Sequence, residues 1–404
     1  MKSIFILGFF ISFLSSFAQD TLQKNNTPIF NYKNGLGFFI PDSSFSLNLK
    51  FRIQSRILMN TKSIEDFSPS SWETRVRRAR LSFSGHVFNP KLTYNVQLSF
   101  SRGDMDWSDA DESSQNVSPN VLRDAMIFYK PSNRLLFGLG QGKLSGNRQR
   151  VISSGALQFY DRSPVNANFT LDRDFGIFAT YTMGKKDFKT ILKTAISSGE
   201  GRNSNLSNAG LAYTARLELL PFGVFTDTGD YFEGDVAREE RPKISIAGGY
   251  HFNDMAVRTQ GQIGRDLFAP KSYHTYLFDF LLKYKGFALS SEYIRRDTEG
   301  TPITINSDGV MSNVVTGDGI NTQISYCFES RWEIATRYSL ITPHKDIAST
   351  FNQINQFGIG TTKYFKKHKV KAQFNIFYHH ERNLTTFTNT QKHFFGVFQM
   401  EVGI

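Results

Sequence analysis

Apolar and polar residues alternate with period two over several stretches of this chain. In 45–60, Phe45, Leu47, Leu49, Phe51, Ile53 and Ile57 share one face, and Ser46, Asn48, Lys50, Arg52, Gln54 and Arg56 the other. In 91–101, Leu92, Tyr94, Val96, Leu98 and Phe100 alternate with Thr93, Asn95, Gln97 and Ser99. In 369–380, Val370, Ala372, Phe374, Ile376 and Tyr378 alternate with Lys371, Gln373 and Asn375, and 331–341 sets Trp332, Ile334, Tyr338 and Leu340 against Arg331, Glu333 and Arg337. Strict alternation predicts strands with one apolar face. Runs of roughly ten residues match a tilted membrane-crossing strand and exceed the common length of about 5–6 in soluble sheets.

The connections alternate in length. Short turns are expected at 88–91, 130–133, 183–186, 284–286, 328–330 and 366–368. Longer polar loops are expected near 61–72, 102–120, 143–172, 198–207, 253–274, 298–315, 342–354 and 381–391. Short turns at one end and long loops at the other belong to a membrane barrel. Counting hairpins predicts an all-β fold, a transmembrane antiparallel β-barrel of about sixteen strands, wide enough for an aqueous channel. The connection 221–241, rich in Pro, Gly and acids, is long where a short turn is due, and reads as an elaborated loop at the short-turn end. A soluble sandwich or solenoid gives no reason for such long alternating strands or sided loops.

The N-terminus changes the compartment. Lys2, the apolar run Ile4–Phe13 and the small residues Ser16 and Ala18 read as a signal peptide over 1–18, with 19–44 as an N-terminal periplasmic segment and 45–404 as the barrel. One cysteine, Cys327, excludes an intramolecular disulfide. No later run offers the roughly 20 apolar residues of a spanning helix, so membrane entry requires a closed barrel. A mean hydropathy of −0.33 with 39 Phe and 16 Tyr suits a wall that is polar on one side.

The formal net charge of +11 favours an anion-attracting field, or contact of outer loops with lipopolysaccharide. Alternation turns Lys50, Arg52 and Arg56 to the polar face of the first long strand, and Arg78, Arg80, Ser82, Ser84 and His86 to that of the next. Arg216, Lys283, Arg337 and Lys371 share that parity, as do Glu218, Asp279, Glu292 and Glu333, which neutralise part of the charge. The acidic run Asp104 to Glu112 lacks the order of an EF-hand and reads as a solvated loop. His379-His380 and the Lys366-Lys367-His368 turn show no third metal ligand. No cofactor is expected. There is no Gly-x-Ser-x-Gly elbow and the few histidines lie in turns or near strand ends, so no enzyme is expected.

Several stretches resemble the phosphate-selective porin O and P family. They are Arg75-Val-Arg-Arg-Ala-Arg-Leu-Ser-Phe-Ser-Gly85, Gly140-Gln-Gly-Lys-Leu-Ser-Gly-Asn-Arg-Gln-Arg150, Phe159-Tyr-Asp-Arg-Ser163, Leu171-Asp-Arg-Asp-Phe-Gly176, Asp230-Tyr-Phe-Glu-Gly-Asp235 and Phe252-Asn-Asp-Met-Ala-Val-Arg258. The resemblance implies a sixteen-stranded, usually trimeric, barrel of the bacterial outer membrane whose third outer loop folds inward. Here that loop is 143–172. It makes Lys143, Arg148, Arg150 and Arg162 candidates beside Lys50, Arg52, Arg56, Arg75, Arg77, Arg78 and Arg80 for lining the pore and binding anions. Expected partners are phosphate or other small anions, outer-membrane lipid and lipopolysaccharide, and further copies of the chain in a homotrimer, with no nucleic acid. The alternatives are a non-selective porin and a non-conducting structural or adhesion barrel. The chain ends in Val402-Gly403-Ile404 rather than the aromatic residue usual in outer-membrane barrels.

Overall fold

The computed structural model describes residues 27–32, 35–101, 121–185, 187–204 and 208–404. The expected signal peptide and the acidic run lie outside them. A short antiparallel hairpin, β1 (Ile29–Asn31) and β2 (Leu36–Phe39), comes first. Then follow β3 (Phe45–Thr61), β4 (Pro69–Val87), β5 (Asn89–Ser99), β6 (Leu122–Tyr129), β7 (Leu135–Lys143), β8 (Arg173–Lys185), β9 (Phe188–Ser197) and β10 (Ala212–Leu220). The second half holds β11 (Lys243–Arg258), β12 (Asp266–Tyr284), β13 (Phe287–Thr298), β16 (Gly317–Cys327), β17 (Trp332–Pro343), β18 (Gln353–Lys366), β19 (Val370–Arg382) and β20 (Asn389–Gly403). A small hairpin, β14 (Ile303–Ile305) and β15 (Met311–Asn313), sits in the long connection before β16.

Each of the sixteen long strands pairs with its neighbours, and β20 pairs with β3, Phe398 opposite Ile57 and Val402 opposite Ile53. The sheet is therefore a closed antiparallel barrel. Closure removes the free edges that lipid does not tolerate. It is completed by β20 although the chain ends in isoleucine.

Alternation sorts the side chains as in a barrel immersed in lipid. Outward Ile57 is 46% exposed and Ile177 61%, whereas polar-face Arg216 is 1% exposed and Glu333 0%. A soluble protein does the reverse. All six short turns fall where expected, and at Phe88 a single residue with φ of 64° separates β4 from β5.

Three details differ from the sequence reading. The loop expected over 253–274 shrinks to 259–265, because register shifts near Asn253, Ala256 and Arg258 interrupt the alternation while pairing continues. β4 likewise starts at Pro69, before the expected loop 61–72 has ended. Within the segment 19–44, β2 adds to β3 at Ser46–Leu49, on the edge that β20 leaves uncovered beyond Arg52.

Candidate functional site

The connection between β7 and β8 carries two short helices, α1 (Arg148–Val151) and α2 (Pro164–Phe169). Ser163 caps α2 by accepting a hydrogen bond from Asn166 N, and Pro164 starts the helix with its φ already set. Leu144, Val165, Phe169 and Leu171 from this connection pack against Leu277, Ile294 and Ile341, which stand on the polar face of β12, β13 and β17. Burying each such side chain contributes about 1.5–3 kcal/mol. Gly319 on β16 makes the approach possible: a Cβ there would stand 2.7 Å from Val165 and 3.1 Å from Phe169. A second cluster joins Phe159 to Phe377, Phe395 and Val397.

Polar bonds fix the rest of the connection. Arg148 donates to Asp279 at 2.9 Å, to Ser245 at 2.7 Å and to the Asp230 carbonyl at 3.0 Å. Lys371 donates to the carbonyls of Gly155 and Leu157 at 3.0 and 2.6 Å. Arg52 reaches Ser154 at 2.7 Å.

The connection 221–241, from the opposite end, meets the same region. Glu233 accepts from Gln149 at 2.9 Å, from Gln158 N at 2.9 Å and from Gln323 at 3.0 Å. Lys283 donates to the carbonyls of Gly229 and Phe232 at 2.7 and 2.8 Å, and Tyr231 donates to Glu218 at 2.8 Å. Asp230, Glu233, Asp235 and Glu239 are all buried. What the sequence offered as an elaborated loop is a cap with an ordered polar core.

Beside these segments lies a cavity of about 480 Å3. Ten cationic side chains line it, from Arg56, Arg75, Arg77, Arg78, Arg80, Arg123, Lys143, Arg150, Arg162 and Arg173, against the carboxylates Asp161 and Asp172. A register shift in β4 explains the density. Gln54 faces Arg78 and Ser55 faces Val76, so Arg77 is an extra residue in the ladder and Arg75, Arg77, Arg78 and Arg80 all reach the cavity.

Asp161 is the hub. Arg78 meets it at 2.8 Å, Arg77 at 3.0 Å and Arg56 at 3.6 Å. Burial opposes its ionisation, but the charges of Arg78, Arg77 and Arg56 outweigh burial and hold the carboxyl well below its ordinary 3.8. Arg162 donates to the carbonyls of Gln149 and Ile152 at 2.7 and 2.9 Å. Burial first, then the neighbouring Arg78 charge, lower its guanidinium to about 9. Such an excess of positive potential favours a bound or passing anion.

A depressed carboxyl contributes stability that is present above its unfolded value and lost as pH falls through the folded one. Asp161→Asn is therefore expected to lower the melting temperature in detergent by an amount that is constant from about pH 7 to 4.5 and shrinks only below about pH 4. A gap that closes already between those first two values would show that the arginines do not hold Asp161.

The sequence-derived candidates separate into groups. Arg56, Arg75, Arg77, Arg78, Arg80, Lys143, Arg150 and Arg162 come together at the cavity. Arg52 stands among Ser154, Glu401 and the Lys371–Glu401 pair. Arg148 is fully buried as an anchor. Lys50 is exposed near the short-turn end, where Lys91, Lys130, Lys285, Lys366 and Lys367 are exposed too, so part of the positive charge lies outside the cavity. Alternation missed Arg123, hidden by a register shift opposite Gln97 and Leu98, and Arg173, although the latter stands in the Leu171–Gly176 motif. Among the described residues, no three of His, Cys, Asp and Glu group as a metal site.

The comparisons bear on this arrangement. Residues 48–232 match the family model described as phosphate-selective porin O and P, which spans the cationic strands, the β7–β8 connection and the start of the cap. The chain is a porin of the bacterial outer membrane. The porin shares its fold with OmpT of Vibrio cholerae (10% identity, 89% of this chain and 98% of that one, TM-score 0.53) and with the outer membrane channel DcaP of Acinetobacter baumannii (10% identity, 91% and 99%, TM-score 0.54). OmpF of Salmonella typhi, in complex with daunomycin, aligns at 14% identity over 90% and 99% with a TM-score of 0.53. A form of the Vibrio cholerae OmpT is described as a trimer. No curated protein sequence matches the porin.

Proposed function

We propose that this porin is an anion-favouring diffusion channel, for phosphate, polyphosphate or other small anions, whose lumen is narrowed by the inward-folded β7–β8 connection. The observation that carries the reading is the cavity in which ten cations face two carboxylates. Arginine suits oxyanions because its planar fork donates two parallel hydrogen bonds, and a row of such groups passes an ion along without holding it at one point. The short turns then face the periplasm and the long loops face lipopolysaccharide. The trimeric form described for the Vibrio cholerae protein and the family match support a homotrimer.

The test is single-channel recording of the refolded porin in a planar bilayer under a KCl gradient, with inorganic phosphate titrated in. A reversal potential favouring chloride, and block of chloride current by phosphate, are expected. Steps without anion preference would mean that the arginines only order the wall.

A further inference from the structure

The polar face of the barrel is not uniform beyond the cationic cavity. Lumen-facing groups on β12, β16, β17 and β19, such as Lys283, Gln323, Glu333 and Lys371, are fully covered by the two inserted connections. On β3–β5, by contrast, Asn48, Ser82, Ser84, Asn95 and Gln97 are only half-buried, so water reaches this side. The adjoining part of the wall, on β6–β9, carries a group of apolar residues on the same face, beside Thr180, Thr182 and Lys193. Asn95 pairs with Met126 and Thr93 with Phe128, Gly138 pairs with both Phe128 and Phe178, and Thr182 pairs with Ile191. These residues have the lumen parity of Gln97 and Arg216, not that of the outward Ile127 and Ile177.

Other apolar residues of lumen parity have an evident partner. Leu277, Ile294 and Ile341 are completely buried under α2 and its flanks. Phe128 and Leu136 remain half-buried, and so do Phe178 and Ile191, which touch the edges of the buried clusters around Phe169 and Phe225 and still keep part of their surface open. At Gly138 a Cβ would come 3.0 Å from Met126 and 3.1 Å from Phe128, so these two side chains lie flat along the wall. The result is a stretch of lumen wall with amide and hydroxyl groups on β3–β5, an apolar strip on the adjoining β6–β9 and a guanidinium cluster at its head.

We infer that the porin favours organic anions that carry an apolar body, such as aryl or alkyl phosphates and carboxylates, over inorganic phosphate. This deepens the anion-channel reading and rests on it. A bare, hydrated ion gains nothing from an apolar strip and loses favourable solvation beside it. An amphiphilic anion places its charged head among the arginines and removes its apolar part from water against Phe178, Phe128 and Leu136. Sites with mostly apolar walls and a few convergent polar groups are the usual form for binding organic molecules.

The experiment titrates methyl phosphate and phenyl phosphate against the chloride current of the refolded full-length channel at about pH 8, where both are dianions. Phenyl phosphate is expected to halve the current at about a tenfold lower concentration than methyl phosphate. Phe178→Ser and, separately, Phe128→Ser are expected to reduce that ratio severalfold while the chloride reversal potential stays put. Equal potency of the two esters on the unaltered channel overturns the inference, and needs no variant to fold. A wild-type ratio that survives both substitutions overturns the assignment to this strip. Loss of chloride preference in the unaltered channel strikes instead at the anion-channel reading, and is seen without either ester.

Discussion

Replacing residues 223–242 with an Asn-Gly turn is expected to raise the single-channel conductance on the order of threefold and to weaken ion discrimination. Leu219 pairs with Ile246, so continuing that register brings Phe222 and Lys243 into position for a two-residue hairpin loop. The excision removes the carbonyls of Gly229 and Phe232 that hold Lys283, and the Glu233 carboxylate that ties Gln149 and Gln158 to Gln323. Lys283, Gln323 and Glu333 then face water, and the cross-section at their level is set by the barrel wall. Folding is checked by heat-modifiable migration of the variant. Unchanged conductance from folded protein would mean that the cap does not limit the passage.

The second large effect separates cations that look alike in sequence. Replacing Arg77 and Arg78 together with Ala is expected to lower the chloride-over-potassium permeability ratio severalfold, because both border the cavity and both pair with Asp161. Replacing Arg148 with Ala should leave that ratio nearly unchanged and instead destabilise the barrel by about 3 kcal/mol in denaturant unfolding. Its guanidinium is fully buried and joins Asp279, Ser245 and the Asp230 carbonyl, so its loss loosens both the β7–β8 and the β10–β11 connections. If Arg148→Ala shifts the reversal potential as far as the double replacement does, the cavity is not where selection occurs.

Much of the fold was legible because each link uses period two. The alternation at Phe45–Ile57 gave strand and face together, and the sided lengths of the connections gave the strand count. The packing of the two long connections was not legible, because their supports include apolar residues on a polar face. Leu277, Ile294 and Ile341 share the parity of Asp279, Glu292 and Arg337, but parity alone does not say which segment will cover an apolar residue on that face. The cap was visible only as a connection too long for its end of the barrel, and nothing in 221–241 says that Glu233 will meet Gln149. Charge was legible at Arg56 and Arg78–Arg80, where parity suffices. It was not at Arg148, whose neighbours in space lie on β11, β12 and the cap.

The shift in β4 has a consequence for how such a wall changes over generations. Strict alternation lets at most three of the six positions 75–80 face one side, and here four arginines do. Because Arg77 is the surplus residue, excising its codon would restore an unbroken ladder while Arg75 and Arg78 keep their partners Arg56 and Gln54. A single in-frame insertion thus adds a charge without rotating any neighbour. Length variation inside a strand, usually the most disruptive kind, becomes a conservative route to a new ionic preference.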